Sequence, residues 1–369
     1  MKRLLAVLLA IALLVSGCMD RKDIEDISLA LIIGIDLNDE DKLQISTSSP
    51  VFSREAKIKT EINIVGADSL RAARDENDRT FTAYTSGGKT QLFLIGKKLM
   101  RREGWFKLLD PFLREPKNTS SMCIVLVDGP VSEVMSFNPR DKPRLPIYLT
   151  RLVDTASRRN LCIRTTLQEL HSIDYEKGKT ASLAELRLAN KVIIKGSALL
   201  NEKGIYKMSI GADETRLLRM LQTEKAGEIL FSFKHGNKSG DPAVPDNAYM
   251  INIQKYTAKL KTGYSDGRFT FDYRFKIRAL LAEKLFSLDP LQEDKVLQAE
   301  MNRQLEEKFT RLIGKIQQAK IDPIGLGNYA RAYRYSEWKK VQNRWGEALA
   351  DADIRVRVDV TIASMGAIR

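Results

Sequence analysis

One short apolar run near the start does most to limit what this chain can become. Leu4 to Val15 (LLAVLLAIALLV) follows the basic head Lys2-Arg3 and contains no charge and no turn former. A helix of that length reaches about 18 Å at 1.5 Å per residue, against roughly 30 Å of bilayer hydrocarbon. It is too short to span a membrane and reads as the core of a cleaved signal peptide. Most of the chain is expected to fold in water. With 369 residues, 43% hydrophobic and 29% charged, it has material for two domains, or three, at about 150 residues each. That composition excludes a disordered chain, a stapled mini-protein and a polytopic membrane protein.

The apolar run ends in Val15-Ser16-Gly17-Cys18, which resembles the bacterial lipobox: small residues at the scissile bond, then a cysteine that becomes the new N-terminus. The Cys18 thiol would take a diacylglyceryl group through a thioether. Two or three acyl chains, at about 0.8 kcal/mol per buried CH₂, anchor stably where one chain does not. The bland alternative is an ordinary secretory signal with an accidental cysteine. Asp20 stands two positions later, a placement that carries retention information only in a two-membrane cell. Cleavage removes Lys2 and Arg3 and lowers the formal charge of +13 by two, which leaves a basic body beside an anionic leaflet.

The charge is spread out. The densest patch, Lys97 to Arg102 (KKLMRR), is interrupted by Leu99 and Met100, so a nucleic-acid-binding tail is not written here, and a solvated basic face is the better reading. Three cysteines without a C-x-x-C pair exclude a disulfide framework or a local zinc motif, and Cys123 and Cys162 read as buried, unreactive thiols. His171 and His235 are the two histidines, too far apart for a local metal site and too few to suggest catalytic triads. Ala83-Tyr84-Thr85-Ser86-Gly87-Gly88-Lys89-Thr90 fits a relaxed phosphate-loop string, yet Gln91 to Ile95 after it reads as a strand. A phosphate loop must lead into a helix N-terminus, so this is a Gly-Gly turn. Asp36 with Asp39 and Asp41, and Asp351 with Asp353, are acid pairs that spacing alone does not bring into one pocket.

The periodicity mixes strands and helices. Ile27 to Leu37 and Lys42 to Phe52 form an opening hairpin, and Ile58, Ile62 and Ile64 alternate on a further strand. Asp68 is a candidate cap for a helix to about Arg79; Gln91 to Ile95 and Met122 to Val127 are buried strands flanking a helix-like segment, Lys97 to Arg114. Leu145 to Leu170 reads as helical, and a linker falls between about residues 175 and 190. A second, mainly antiparallel sheet is expected to begin at Lys191, with Tyr249 to Lys261 and Arg268 to Ala282 as long alternating runs across a 262–267 turn. Leu297, Met301, Leu305, Phe309, Leu312, Ile313 and Ile316 put one stripe on a helix of about eight turns, packed on that sheet. Glu337 to Leu349, with Trp338 and Trp345 on one face filling a core, is a further helix, and Ile354 to Ile362 a closing strand.

These features in order resemble the Ger(x)C family of spore germination lipoproteins, the C subunits of nutrient germinant receptors. The residues that carry it are Gly17-Cys18-x-Asp20-Arg21-Lys22-Asp23-Ile24, Ile33-Gly34-Ile35-Asp36, Gly196-Ser197-Ala198, Asp322-Pro323-Ile324-Gly325-Leu326-Gly327, the Trp338 to Trp345 segment and the last strand to near Gly366. Met19, where tryptophan is common, and Gly88-Lys89-Thr90-Gln91, where a histidine-containing strand is common, depart from the pattern. The resemblance implies a multi-domain α+β protein: residues 1–17 a signal peptide, 18–190 a mixed N-terminal germination-protein region, and 191–369 a C-terminal domain with an antiparallel sheet and a long packed helix. It implies lipid attachment at Cys18, a place on the outer face of the spore's inner membrane, and an A and a permease-like B subunit as partners. It implies no catalysis, cofactor, metal, nucleic acid or direct small-molecule ligand. The competing expectation is a substrate-binding lipoprotein of an ABC importer, which calls for two similar α/β lobes around a cleft.

Overall fold

β-branched and leucine-rich runs build the first sheet. β1 (Ile27–Leu29) leads to β2 (Ile32–Leu37), which pairs antiparallel with β3 (Leu43–Pro50) across an Asn38 turn, and β4 (Thr60–Gly66) forms the edge. Then follow α1 (Leu70–Thr80), β5 (Tyr84–Ser86), β6 (Leu92–Gly96), α2 (Lys97–Met100), a 3₁₀ turn at Trp105–Leu109, α3 (Asp110–Arg114), β7 (Cys123–Val127), α4 (Val131–Ser136), α5 (Leu145–Arg158), β8 (Thr165–Thr166), α6 (Leu167–Tyr175), β9 (Ser182–Leu188), β10 (Val192–Leu200) and β11 (Tyr206–Ile210). The computed structural model describes residues 23, 26–81, 83–224, 227–236, 247–285 and 294–364. Cys18, the apolar run expected to be a signal peptide and Gly366 lie outside the described residues.

The sheet order is β11-β10-β9-β7-β6-β2-β3-β4, with β8 attached to β7. β2, β6, β7 and β9 are parallel neighbours at its centre. Parallel strands are buried on both faces, and β6 and β7 are buried at every position. One face packs with Leu70, Leu99, Trp105 and Leu170, and the other with Val131, Val134, Leu149 and Val153. Gly34 is small because α4 crosses there: a Cβ would meet Val131 Cγ1 at 2.5 Å.

Several elements differ from expectation. Ser69, not Asp68, caps α1, its hydroxyl accepting from Ala72 N–H at 3.1 Å. Lys97 to Arg114 is broken into three short helices because Gly104 takes the left-handed conformation, φ 82°. The helix from Leu145 stops at Arg158, and α6 starts anew with a Thr166–Glu169 capping box. β10 and β11, expected in a second sheet, extend the first one. β9 already pairs with β7, and its other edge is satisfied only when β10 folds back on it.

The second sheet begins at Ile229. α7 (Ala212–Leu221) precedes β12 (Ile229–Lys234), β13 (Ala248–Ser265) and β14 (Arg268–Lys284). β13 and β14 run the full length of a hairpin closed by Asp266-Gly267, both with positive φ as a tight two-residue turn demands. α8 (Asp294–Gln318), α9 (Leu326–Tyr333), α10 (Tyr335–Val341), α11 (Trp345–Ala350) and β15 (Asp353–Ser364) complete the order β12-β13-β14-β15. β15 pairs parallel to β14, which a helical crossover permits and a hairpin does not. All seven stripe residues of α8 are buried against the inner face of this sheet, Phe309 stacked on Phe275 at 4.9 Å. The Glu337 to Leu349 segment is two helices joined by a 3₁₀ turn at Gln342–Arg344, where Val341 and Arg344 leave helical geometry. Trp338 and Trp345 are both buried, from separate helices. The fold is α+β with two unlike layers of sheet.

Candidate functional site

β1 is the first described strand, and it is tied firmly to the body. It pairs parallel with β5, Ala30 N–H donates to Ser86 O at 2.9 Å, and the Thr90 hydroxyl donates to Ala30 O at 2.8 Å. The Gly87-Gly88-Lys89-Thr90 string is the turn between β5 and β6, and a strand follows it where a phosphate loop needs a helix N-terminus.

Beside this attachment lies a cleft of about 320 Å³ between α1, α3 and the sheet. Ile33, Ile45 and Phe112 floor it, and Asn77 donates from Nδ2 to Thr47 Oγ1 at 3.0 Å at its wall. Asp78 accepts from Thr85 N–H at 2.8 Å, while the Thr85 hydroxyl is buried without a hydrogen-bond partner.

The acids do not converge. Asp36 is buried and accepts from Leu37 N–H at 2.8 Å and Val131 N–H at 3.0 Å, capping α4; burial pushes its carboxyl up against these bonds. Asp41 instead pairs with Lys98 and Arg102 at the surface, and Asp353 with Arg355. His171 lies against Phe106 and Tyr175, and His235 Nδ1 is 2.8 Å from Glu300. Burial pushes the thiols of Cys123 and Cys162 up to about 12, so both are protonated and inert at neutral pH. No group of three or more His, Cys, Asp or Glu among the described residues is arranged to hold a metal ion.

Two polar constructions were not legible as sites. At the carboxyl ends of β6 and β7, Glu185 is fully buried from β9, with Lys97 at 3.3 Å and Lys195 at 3.3 Å, both also bonded to Asp128. Burial alone would lower the Lys97 ammonium, but the bonds to Asp128 and Tyr206 and the Glu185 charge hold it up at about 12. The Lys195 ammonium, with help from Lys97, holds Asp128 below the usual carboxylate range. Residues 31, 88 and 10 positions apart meet here, and no local spacing announces that.

The second construction joins the two sheets. Asp322 is buried and accepts from Gly325 N–H at 2.7 Å, Gly327 N–H at 2.8 Å and Trp345 Nε1–H at 2.8 Å. Burial raises its carboxyl, and these bonds oppose the rise. Its carbonyl accepts from Thr180 N–H at 2.7 Å, and Lys177 Nζ donates to Asn343 Oδ1 at 2.8 Å. The polar 174–180 segment is thus clamped against the Asp322 to Gly327 turn. Gly178 and Gly327 touch backbone to backbone, so a Cβ on Gly178 would stand 2.7 Å from Asn328 N and 2.8 Å from Gly327 C. Gly178→Ala is expected to cost about 1–3 kcal/mol by forcing this seam apart, measured as a lower urea midpoint; an unchanged midpoint contradicts the contact.

With this geometry in hand, the comparisons with known proteins are specific. Residues 20–188 match the family described as Spore germination protein N-terminal domain, and residues 195–366 match Spore germination B3/ GerAC like, C-terminal. The first match ends with β9 and the second begins within β10, both strands of the first sheet. Spore germination protein B3 of Bacillus subtilis (strain 168) is 24% identical over 98% of both chains. Spore germination protein A3 of the same organism is 22% identical over 96% of this chain and 95% of its own, and Spore germination protein GerQC of Bacillus cereus 23% over 99% of both. The crystal structure of the GerBC protein superposes with a TM-score of 0.57 at 17% identity, over 92% of this chain and all of that one, which establishes a shared fold. Matched in both halves and along its length, the chain belongs to the Ger(x)C family of spore germination proteins.

Proposed function

We propose that this protein is the C-type lipoprotein subunit of a spore nutrient germinant receptor, anchored through Cys18 to the outer face of the spore's inner membrane. It acts there without catalysis, by contacts with the integral-membrane A and B subunits. The observation that carries this reading is the match of both halves to germination-protein families, together with relatives that align from end to end. A docked β1 supports it, since a short tether behind a fixed strand limits how far the body can stray from its anchor. Confinement to the membrane plane makes even weak contacts with integral subunits effectively intramolecular. An importer's binding lipoprotein calls for two similar lobes, whereas here a nine-stranded mixed sheet is joined to a four-stranded sheet covered by a long helix.

A tagged pull-down from detergent-solubilised spore inner membranes tests the assignment. Recovery of a permease-like and a second multispanning germination subunit is expected; recovery of an ATPase with its permease, or absence from spores, overturns it. Cys18→Ala is expected to move the protein out of the lipid-anchored fraction and to slow nutrient germination. A variant that stays anchored and germinates normally refutes the anchoring.

A further inference from the structure

The outer face of the second sheet carries a grid of exposed cations. Along β13 and β14, inward residues such as Tyr256, Phe271, Tyr273 and Phe275 are buried while their alternate neighbours are exposed. The register places Lys259 opposite Arg274 and Arg274 opposite Arg357, three cations side by side across three strands. Lys255 lies opposite Arg278 in another row, and Lys276 stands between Thr257 and Asp359. Among the described residues none of Lys255, Lys259, Arg274, Lys276, Arg278 and Arg357 forms an ion pair, and Asp272 and Asp359 are the carboxylates interspersed with them. Like charges directly opposite on a sheet destabilise it, so this arrangement works against folding and calls for an external anion.

We infer that this face lies on the anionic headgroups of the membrane to which the chain is tethered, an inference that rests on the Cys18 anchor. Strand pairing spaces neighbours within a row about 4.8 Å apart and successive rows about 7 Å apart, giving a broad grid of charge. Protein interfaces bury an apolar, aromatic-rich centre, and the centre of this grid is Lys, Arg, Thr and Asp. A flat polyanionic surface matches it instead. The anchor supplies one such surface within reach: eight residues lie between Cys18 and Ile27, at most about 32 Å of extended chain. An exported protein meets lipid headgroups rather than nucleic acid.

The test uses the lipidated protein reconstituted in vesicles, with Thr257→Cys carrying an environment-sensitive dye at the centre of the grid. Cys123 and Cys162 are buried and protonated, and Cys18 carries lipid, so the new thiol is labelled selectively. Headgroup-attached quenchers are expected to quench the dye several-fold more in vesicles of phosphatidylglycerol and phosphatidylcholine than in phosphatidylcholine alone. The difference should collapse in about 0.5 M salt, where the screening length falls to a few ångströms, and in Lys259→Glu/Arg274→Glu/Arg357→Glu. Arg274→Gln alone is expected to raise Tm while weakening quenching, which shows that loss of contact is not loss of fold. Vesicle-bound protein with an unquenched dye, or equal quenching on neutral vesicles, overturns the face while leaving the anchor standing. Protein absent from the vesicles overturns the anchor and the face with it. Dye shielding that requires added integral germination proteins and no anionic lipid assigns the grid to an acidic protein and overturns the lipid reading.

Discussion

Asp322→Ala is expected to lower stability by at least about 3 kcal/mol. The side chain accepts three hydrogen bonds from buried donors, two backbone amides of one turn and the indole of Trp345. Alanine leaves all three without an acceptor, and each orphaned buried donor costs about 1–3 kcal/mol. The turn also holds the 174–180 segment and sets Trp345 against Phe269 at 5.2 Å, so its loss should loosen the joint between the sheets before either core melts. Urea unfolding followed by tryptophan fluorescence and by far-UV circular dichroism measures this: the fluorescence transition should shift first and furthest. Asp322→Asn keeps one carbonyl acceptor and should lose less. A loss under about 1 kcal/mol in Asp322→Ala would show that the donors find other partners.

Lys97→Met combined with Lys195→Met is expected to cost about 3–5 kcal/mol, because it strands the fully buried Glu185 without a counter-charge. Adding Glu185→Gln to that double variant should recover most of the loss; no recovery would mean that packing, not charge, is at stake. The pH dependence has a definite sign. Asp128 is held below its ordinary 3.8, so its contribution is present above that value and is lost as pH falls through the depressed one. Lys97 and Lys195 are raised from 10.5, Lys97 to about 12, so their contribution is present below 10.5 and is lost as pH rises through the raised values. The wild-type protein should therefore hold a plateau between about pH 5 and 10 that the double variant lacks, measured as urea midpoint against pH.

Much of this fold was legible as local pattern. The α8 stripe from Leu297 to Ile316, the alternating runs of β13 to β15 and the apolar β6 and β7 declared themselves because burial on one face or both writes a period into the chain. The turn character of Gly87-Gly88 was legible for the same reason: the strand after it rules out a phosphate cradle. What failed were stops and partners. Gly104 and Asn160 break helical patterns by adopting positive φ, which hydrophobic spacing does not encode, and Ser69 took a capping role that Asp68 was equally equipped to fill. β10 reads the same whether it opens a new sheet or extends an old one.

The sequence by itself determined that the chain opens with an apolar run, Leu4 to Val15, too short to span a membrane, that Val15-Ser16-Gly17-Cys18 resembles a lipobox, that strand and helix periods are mixed along the chain, and that the excess of positive charge is dispersed. Only the tertiary structure decided which strands share a sheet, because pairing is a long-range choice made by satisfying β9's second edge and by routing a helical crossover to the parallel β15. It also decided what the polar residues do. Glu185 meets lysines drawn from distant positions, Asp322 meets an indole 23 residues away, and Lys259, Arg274 and Arg357 stand in one row. Electrostatic and hydrogen-bond energies depend on distances of a few ångströms between atoms far apart in sequence, and folding alone sets those distances.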